Sequence, residues 1–321
     1  MKVVIAGLGV AGSYLLRRLG MAGFDVTGYD PKPGNYYIPC GYAANFSLLS
    51  GMLKNIGIDA EKYVLSRAEE VVICGEQTRE ITFKSSGLCT VDKNVLERDM
   101  IEGTRHENKI APRDSGDVLI DATGISRYYL RPARQDFTMY TREFITSGTG
   151  HRDYYFRYFP DGMGYYWEFP LGSKFHVGAG SSDLTYLDRS LSGITGERKV
   201  GRKIRLMPLF GEAISNGVIG VGEAIGTVSP ITGEGIVPSM KSAEILFRCI
   251  SSTSDLNDLK RKYVGELRKE FSAYSKLFTL LTNFRSGRKG LTNARYARTA
   301  IRDLRHFGID LRLGRILGSF L

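Results

Sequence analysis

The first thirty residues constrain the fold of this chain more than any other stretch. A short β-branched run ends in Gly7-Leu8-Gly9-Val10-Ala11-Gly12, which fits the pattern G-x-G-x-x-G. A predicted helix over Ser13–Met21 and a predicted strand over Asp25–Tyr29 follow, and Asp30 comes directly after that strand. This order of strand, glycine turn, helix, strand and acid is typical of a Rossmann-type nucleotide-binding domain.

Each part of this pattern has a physical role in holding a dinucleotide. Gly7 permits the tight turn, Gly9 lets the backbone approach a pyrophosphate, and Gly12 lets the helix pack closely on the strand. The helix N-terminus supplies N–H groups and partial positive charge to the phosphates. Asp30, 23 positions after Gly7, is placed to accept hydrogen bonds from a ribose and disfavours a 2′-phosphate. The alternative is a glycine-rich turn in some other α/β protein.

Composition bounds the remaining possibilities. A chain of 321 residues can bury a large core and has room for two domains. The formal charge of +10 favours an anionic partner, which could be nucleic acid, a phospholipid surface or a phosphorylated substrate. No apolar stretch approaches the roughly 18 residues of a transmembrane helix, and the first predicted strand leaves no room for a signal peptide. We therefore expect a cytoplasmic protein, with peripheral attachment to the cytoplasmic face of a membrane as an open alternative.

The cysteines do not indicate a metal site. Cys40, Cys74, Cys89 and Cys249 are widely spaced, with no C-x-x-C and no nearby histidine pair, so neither a metal site nor a disulfide framework is expected. A reducing compartment is the simpler interpretation. Cys40 lies in the constrained turn Pro39-Cys40-Gly41, either near the ligand of the first loop or as a buried structural thiol.

Further along the chain, strands alternate with helices. Residues 64–91 alternate strand-like runs with turn residues and predict a small antiparallel sheet. Residues 92–101 predict a helix, residues 103–116 a polar loop, and residues 117–124 a strand whose small last residues allow backbone to approach a cofactor. Residues 127–210 are rich in aromatic residues and predict a second sheet region.

The elements predicted after residue 127 can be stated individually. Strands are expected over Tyr154–Phe159, Gly164–Phe169 and Phe175–Gly180. An apolar helix is expected from about Ile236 to Cys249, and an amphipathic helix over Asp255–Asn283.

Several short motifs occur in a characteristic order along the chain. Asp92–Glu97 is similar to D-R-x-x-F-D, and Gly222-Glu223-Ala224 and the later Gly233–Ile236 are similar to G-D-A and G-x-G-I. Tyr165–Pro170 matches Y-x-W-x-F-P, and Pro39-Cys40-Gly41 matches a cysteine-glycine element. With the N-terminal glycine pattern, these motifs resemble those of the flavoproteins related to p-hydroxybenzoate hydroxylase, and within that group the geranylgeranyl reductase family.

The resemblance implies an α/β fold with a Rossmann-type FAD-binding domain, an antiparallel-sheet substrate domain and a C-terminal helical segment. On this basis the FAD-binding domain comprises residues 1–63, 92–126 and 211–250. The substrate-binding sheet region comprises residues 64–91 and 127–210. Residues 251–321 form a basic, helical C-terminal segment.

The glycine pattern and the family motifs together predict which residues bind FAD. Cys40 is additionally implied to be catalytic. Two positions depart from the family: Glu223 replaces an aspartate, and Lys93 replaces an arginine and so loses bidentate geometry. Residues 103–116 are also shorter and more polar than usual for the family. The predicted cofactor-binding residues are Gly7, Gly9, Ala11, Gly12, Asp30, Cys40, Gly41, Lys93, Gly124, Glu223, Gly233, Gly235 and Ile236.

The activity implied by the resemblance is the reduction of isolated C=C bonds in geranylgeranyl chains of archaeal-type membrane lipids or their precursors. Tyr165, Trp167 and Phe169 alternate on one face of a predicted strand, so they could line an alkyl channel together with Pro170. The alternative is that this aromatic face packs as core. The face of an aromatic ring could stabilise positive charge as the alkene is protonated.

Two other functions stay open. One is a FAD-dependent monooxygenase or halogenase that acts on an aromatic or quinone substrate. The other is a non-catalytic flavoprotein that binds isoprenoids or nucleic acid. The sequence contains no second nucleotide domain and no iron–sulfur motif, so an external electron donor, NAD(P)H or ferredoxin, is expected.

The C-terminal segment combines basic and apolar residues. It predicts docking on an anionic membrane surface, and a helical cap that packs on the protein is the alternative. Nucleic acid is a poorer partner because few aromatic residues are available for stacking. The basic residues are Arg285, Arg288, Lys289, Arg295, Arg298, Arg302, Arg305, Arg312 and Arg315, and the apolar ones are Leu304, Phe307, Ile309, Leu311, Leu313, Ile316, Leu317, Phe320 and Leu321.

Overall fold

The computed structural model describes residues 1–33, 36–37, 40–76, 78–151, 153–162, 164–286 and 294–311. In chain order, the strands are β1 (Lys2–Ala6), β2 (Asp25–Tyr29), β3 (Ala43–Asn45), β4 (Val64–Arg67), β5 (Glu70–Gly75), β6 (Ile81–Ser85), β7 (Leu88–Val91), β8 (His106–Glu107), β9 (Val118–Asp121), β10 (Thr138–Thr146), β11 (Tyr154–Tyr158), β12 (Gly164–Pro170), β13 (Phe175–Ser181), β14 (Arg198–Arg205), β15 (Ile214–Ser215), β16 (Val218–Gly220) and β17 (Ile309–Asp310). The helices are α1 (Val10–Met21), α2 (Phe46–Lys54), α3 (Lys93–Ile101), α4 (Leu184–Ser190), α5 (Ile236–Ser252), α6 (Leu256–Glu270), α7 (Ser272–Arg285) and α8 (Ala294–Phe307).

A mainly parallel sheet is built on β1, which lies between β2 and β9 and is parallel to both. The order of this sheet is β15-β16-β9-β1-β2-β8. Val3, Val4 and Ile5 are at most 1% exposed, as expected for a central parallel strand that is covered on both faces. Helices α1 and α5 pack together, and the Tyr14 hydroxyl donates to Glu244 Oε2 at 2.8 Å. The predicted Rossmann-type arrangement is therefore confirmed.

Two details of this sheet differ from the sequence prediction. Helix α1 begins at Val10, three residues earlier than predicted, with Gly9 as its N-cap. Residues 103–116, predicted as a loop, contain β8, which pairs in parallel with β2. This pairing uses backbone groups, such as the Gly28 N–H that donates to the Arg105 carbonyl at 3.0 Å, so it has no side-chain signature in the sequence.

A larger sheet has the order β14-β10-β13-β12-β11-β5-β6-β17. Its neighbouring strands are antiparallel except β11 and β5, which are parallel. The predicted strands β11, β12 and β13 are confirmed to within one residue at each end. Strands β10 and β14 were not predicted because both carry charged residues at positions where a simple alternation would require apolar ones. The antiparallel second sheet of the predicted fold class is thus present.

The prediction of one small sheet over residues 64–91 is wrong. Strands β4 and β7 pair in a small sheet with the order β3-β7-β4, whereas β5 and β6 extend the large sheet. Alternating side chains define where a strand lies, but its partners are decided by pairing between distant parts of the chain.

The C-terminal helices also divide differently from the prediction. Residues 255–283 contain α6 and α7 rather than one helix, and the break falls at Phe271. The Phe271 ring stacks on Phe210 at a centroid distance of 5.0 Å, which anchors the break to the core. Among the described residues, no helix is both long enough and apolar enough to cross a membrane.

Helix α8 and β17 bury part of the segment for which the sequence predicts docking on an anionic membrane surface. Phe307, Ile309 and Leu311 are at most 4% exposed and pack with β12 residues, and Leu304 packs against the same cluster. These apolar side chains therefore cover the protein itself, which is the helical-cap alternative. Part of the predicted membrane surface lies outside the described residues, namely Arg288, Lys289 and the members between Arg312 and Leu321.

Candidate active site

A cavity of about 1170 Å³ runs from the turn after β1 to β12 and the helices α7 and α8. This volume exceeds the roughly 300–1000 Å³ of most small-molecule pockets. Gly12 and Pro170 are the two predicted site residues that do not line it. The predicted residues that do are Gly7, Gly9, Ala11, Asp30, Cys40, Gly41, Lys93, Gly124, Tyr165, Trp167, Phe169, Glu223, Gly233, Gly235 and Ile236.

The glycine turn has the geometry of an anion cradle. Gly7 has a φ of +92°, and a Cβ there would lie 2.5 Å from the Ala122 carbonyl oxygen. A Cβ on Gly12 would lie 1.9 Å from the Gly7 carbonyl oxygen, so both positions require glycine. At Gly9 the nearest atom to a Cβ would be Glu97 Oε1 at 3.7 Å, so this backbone faces open cavity. Helix α1 starts there without a side-chain cap, which leaves first-turn N–H groups for an anion.

Asp30 holds this turn in place. Its Oδ2 accepts from the Leu8 N–H at 2.7 Å, and its Oδ1 accepts from the Lys32 N–H at 3.0 Å. The Lys32 ammonium lies 3.5 Å from the Asp30 carboxylate and donates to the Leu8 carbonyl. Because each carboxylate oxygen can accept more than one hydrogen bond, Asp30 keeps acceptor capacity on the cavity side.

A buried ion pair lies beside the turn. Lys93 Nζ is 2.8 Å from Glu97 Oε1, and both side chains are 8% exposed. Lys32 Nζ lies 3.7 Å from the other Glu97 oxygen. Buried charges of this kind require a partner, and Glu97 supplies it to Lys93. Sequence analysis named Lys93 but missed Glu97, although their spacing of four residues on one helix is a signal for pairing.

Glu223 meets an arginine that sequence analysis also missed. Arg202 on β14 donates to Glu223 Oε2, and the Arg205 backbone N–H donates to Glu223 Oε1 at 3.0 Å. A Cβ on Gly124 would lie 3.4 Å from Glu223 Oε2, so the ends of β9 and β16 meet at this carboxylate. Since β14 itself was not predicted, nothing in the sequence pointed to Arg202.

Cys40 is held next to a buried carboxyl on β10. Its backbone N–H donates to Glu143 Oε1 at 2.9 Å, and the Tyr37 hydroxyl donates to the same oxygen at 3.1 Å. Burial raises the pKa of Glu143 to about 7, and burial also raises the pKa of the half-buried Cys40 thiol. Both groups are therefore more protonated near neutral pH than they would be in water. Pro39 lies outside the described residues.

The aromatic face of β12 both lines the cavity and packs in the core. Tyr165 and Trp167 have ring centroids 5.7 Å apart, and Trp167 and Phe169 are 6.1 Å apart. Trp167 and Phe169 are 6% and 3% exposed, so the core alternative describes part of their role. Pro170 lies at the end of the strand, where its carbonyl accepts from the Thr90 hydroxyl at 2.5 Å.

The start of α5 carries a buried acid. Gly235 is the N-cap, and Glu234 Oε1 accepts from the Val237 N–H at 2.8 Å. Burial raises the pKa of Glu234 to about 8. Near pH 7 the Glu234 carboxyl is therefore predominantly neutral. The positive end of the α5 dipole is then not neutralised by this side chain and can stabilise an anion bound in the cavity.

The far wall of the cavity comes from α7 and α8 and was not predicted. This wall is lined by apolar side chains. A hydrogen bond from the Ser229 hydroxyl to Asp303 Oδ2, 2.6 Å long, ties α8 to the loop before α5. Burial raises the pKa of Asp303 to about 6. The lining residues contributed by these helices are Leu280, Leu281, Ala300, Leu304 and Phe307.

The described residues fit a dinucleotide better than a metal. The searched part of the chain holds no group of three or more His, Cys, Asp or Glu side chains that could bind a metal ion. By contrast, the open backbone at Gly9, the uncapped start of α1 and the nearby Lys32 and Lys93 suit a pyrophosphate.

Solved structures with the same fold define the class of architecture. A geranylgeranyl bacteriochlorophyll reductase-like protein from Thermoplasma acidophilum aligns with a TM-score of 0.72 and 19% identity, covering 88% of this chain and 87% of that one. PqsL, a probable FAD-dependent monooxygenase from Pseudomonas aeruginosa, gives 0.69 and 16%, covering 93% and 99%. The flavin-dependent brominase Bmp2 gives 0.71 and 15%, covering 96% and 94%. The fold is that of FAD-dependent flavoproteins.

Sequence comparison gives one similarity over most of the chain and one over about a third of it. No protein-family model matches the chain. An uncharacterized protein of Methanocaldococcus jannaschii is 24% identical over 345 residues, covering 88% of this chain and 92% of that protein. The digeranylgeranylglycerophospholipid reductase of the same organism is 29% identical over 122 residues, covering 34% of this chain and 31% of the reductase.

Proposed function

We propose that this protein is a FAD-dependent reductase that saturates C=C bonds in geranylgeranyl or related isoprenoid chains of membrane lipids or their precursors. The observation that carries the proposal is the continuous cavity between Gly9 at the glycine turn, Trp167 on β12 and Leu304 on α8. An anion cradle at one end and an apolar wall at the other suit a dinucleotide beside a hydrocarbon chain.

The chain's own residues would hold the cofactor. The N–H groups at Gly9 and Ala11 bind the pyrophosphate, and Asp30 accepts from the adenosine ribose. Lys93 adds positive charge, and Glu223 accepts from the hydroxyl groups of the flavin side chain. Reduced FAD, when bound, supplies the hydride equivalent for the reaction.

The apolar wall would govern the alkene. An isolated trisubstituted alkene is a poor hydride acceptor, so a proton must add before or together with the hydride. The ring faces of Tyr165 and Trp167 stabilise the positive charge that develops on the alkene. Phe169 and Leu304 exclude water, which strengthens these interactions and protects the cation from hydration. Cys40, at the edge of this wall, is proposed to influence the rate or extent of reduction.

Both reductase comparisons support this proposal. The partial sequence relative is a reductase of digeranylgeranylglycerophospholipid, and the Thermoplasma acidophilum structure is described as reductase-like. The net charge of +10 suits a phosphorylated lipid substrate. The electron donor, NAD(P)H or ferredoxin, would be external.

A monooxygenase or halogenase acting on an aromatic or quinone substrate is the second candidate. The observation in its favour is that PqsL and the brominase align nearly as well as the reductase-like structure, with TM-scores of 0.69 and 0.71 against 0.72. The shared fold does not by itself select a reaction.

The deciding experiment is incubation of dithionite-reduced, FAD-loaded protein with geranylgeranylated glycerophospholipid under argon, followed by mass spectrometry of the lipid. Saturation appears as the addition of two hydrogens per double bond together with flavin reoxidation. Rapid oxygen consumption with a hydroxylated or halogenated aromatic product, and no lipid saturation, would instead support the second candidate. Tight lipid binding with no flavin reoxidation under either condition would support a non-catalytic flavoprotein.

A further inference from the structure

We propose that Glu143 donates the proton in this reduction and that the Tyr37 hydroxyl positions its carboxyl. The proposal rests on the proposed function. Glu143 lies on β10 and lines the cavity, 2% exposed. The strands that flank β10 place Gly178 and Val200 opposite it, so neither flanking position offers an ion-pair partner.

The three side chains form a continuous hydrogen-bonded series. The Tyr37 hydroxyl lies 3.1 Å from Glu143 Oε1 and 2.9 Å from His176 Nε2. His176 is fully buried, and its ring lies 4.6 Å from that of Tyr42. A hydroxyl can donate one hydrogen bond while it accepts another, so Tyr37 can donate to the carboxyl and accept from the imidazole, and the series fixes the position of Glu143.

The charge environment keeps Glu143 in the donor form. Burial raises its pKa to about 7. Four groups act in the opposite direction and lower this pKa: the Cys40 N–H, the Tyr37 hydroxyl, Lys93 and Arg202. Burial lowers the pKa of His176 to about 4, so its ring is neutral near pH 7 and adds no positive charge beside Glu143. At neutral pH a substantial share of Glu143 is therefore protonated.

Other carboxyls that line the cavity are less suited to this role. Asp30, Glu97 and Glu223 each have a lysine or arginine nitrogen within 3.7 Å, so each carboxylate is held in an ion pair. Burial raises the pKa of Glu234 to about 8, but its Oε1 accepts from the Val237 backbone N–H at the start of α5 and has no titratable side chain as that partner. Glu143 combines a raised pKa with a titratable neighbour.

The step balances in atoms and charge. The Glu143 O–H bond and the alkene π bond break, the Glu143 proton forms a C–H bond at one alkene carbon, and the other carbon would take the hydride equivalent that bound, reduced FAD supplies. The alkene would gain two electrons, the flavin would lose two electrons, and Glu143 is left as a carboxylate. Once the product leaves, a proton from water in the cavity restores the acid.

The test compares wild type with Glu143→Gln, Tyr37→Phe and the control Glu168→Gln. Glu168 is a similarly buried carboxyl in the same large sheet, 5% exposed, and it does not line the cavity. Each FAD-loaded, dithionite-reduced protein is mixed under argon with geranylgeranyl diphosphate. Flavin reoxidation is followed by absorbance across the pH range around 7, and the product is analysed by mass spectrometry.

We expect the wild-type rate to fall as pH rises through about 7, because the donor form of Glu143 is lost. In Glu143→Gln the rate of flavin reoxidation should be lower by at least about 10²-fold, the lower range for general acid catalysis. This variant should also lack the descending limb of the pH profile, which is the fall in rate above about pH 7 in wild type. Tyr37→Phe should move that limb to higher pH, since the Tyr37 hydrogen bond favours the ionised carboxylate. Glu168→Gln should keep the wild-type limb.

Infrared difference spectroscopy gives a readout that does not depend on turnover. The protonated-carboxyl absorbance that titrates in wild type should contain one component with a pKa of about 7 that Glu143→Gln lacks, while the components of Glu234 and Asp303 remain. A descending limb that persists in Glu143→Gln, or a difference spectrum identical to that of wild type, would overturn the proton-donor role alone. Absence of any saturated product with wild type would overturn the proposed function, and this role with it.

Discussion

Gly41 lies directly against the ring of Phe169. A Cβ at position 41 would come within 2.9 Å of Phe169 Cε2 and 3.4 Å of Trp167 Nε1. This contact joins the turn that carries Cys40 to the aromatic strand β12, although the two segments are more than 120 positions apart in the chain. The absence of a side chain at position 41 is what brings the Cys40 backbone to the aromatic wall of the cavity.

Gly41→Ala should therefore disturb the site without unfolding the protein. The added methyl group must displace the Cys40 turn or the Phe169 ring, and we expect reduced alkene saturation with near-normal FAD content. The measurement is flavin reoxidation by geranylgeranyl diphosphate alongside thermal unfolding. Gly51→Ala is the control, because a Cβ at Gly51 meets nothing within 4 Å, and it should slightly stabilise α2. Full activity in Gly41→Ala would show that this contact has no functional role.

Gly9→Val should prevent FAD binding while preserving the apoprotein. A Cβ at Gly9 has room in the structure, but the branched side chain would fill the space at the start of α1 where a pyrophosphate is expected. The cost to stability should be about 1 kcal/mol or less. Visible absorbance measures FAD content, and thermal unfolding of the cofactor-free protein measures stability.

The matched control for this substitution is Gly20→Val, which adds the same side chain to the same helix at a position with nothing within 4 Å. This variant should retain FAD. Full cofactor content in Gly9→Val would remove the glycine turn from the cofactor site.

Trp167→Ala tests whether the aromatic face contacts substrate or only fills the core. Trp167 is 6% exposed, so its removal should lower the free energy of unfolding by about 3–5 kcal/mol. Tyr166→Ala, on the opposite face of β12 and also 6% exposed, should cost a similar amount but does not alter the cavity. We expect Trp167→Ala alone to impair the reduction of long prenyl chains. Equal effects of both variants on reduction would indicate a purely structural role.

Asp303→Asn should flatten the dependence of stability on pH between about 4 and 6. Burial raises the pKa of Asp303 from 3.8 to about 6, so the folded state favours the protonated acid. Its contribution to the free energy of unfolding is fully present below pH 3.8 and is lost as pH rises through about 6, on the order of 2–3 kcal/mol. Denaturant unfolding of wild type and Asp303→Asn at several pH values measures the difference.

Ser229→Ala sharpens this prediction. The Ser229 hydroxyl stabilises the ionised Asp303 carboxylate, so its loss should raise the pKa of Asp303 further and move the stability change to higher pH. An unchanged pH profile in both variants would contradict the burial that raises the pKa of Asp303 on α8.

The sequence by itself determined the parts of this protein that are local. The glycine turn, α1, β2 and Asp30 follow one another within thirty residues, and their roles depend on backbone geometry that glycine alone allows at Gly7 and Gly12. The alternation on β12 likewise predicted that Tyr165, Trp167 and Phe169 share one face. These features could be derived from the sequence because the residues that form each local structure are also the residues that carry its predicted role.

Tertiary structure decided which distant residues complete the cavity. Glu143 reaches the Cys40 turn across 103 positions, Arg202 reaches Glu223 from an edge strand, and α8 closes the far wall. Strand register sets the first two contacts, and packing of an apolar helix face sets the third. None of the three therefore has a local signature in the sequence. The basic, apolar C-terminal residues allowed either a membrane surface or a helical cap. Phe307 and Ile309 are buried in the cluster that contains Trp167 and Phe169 of β12, so this part of the segment packs as a cap, and only the tertiary structure supplied the surface that it covers.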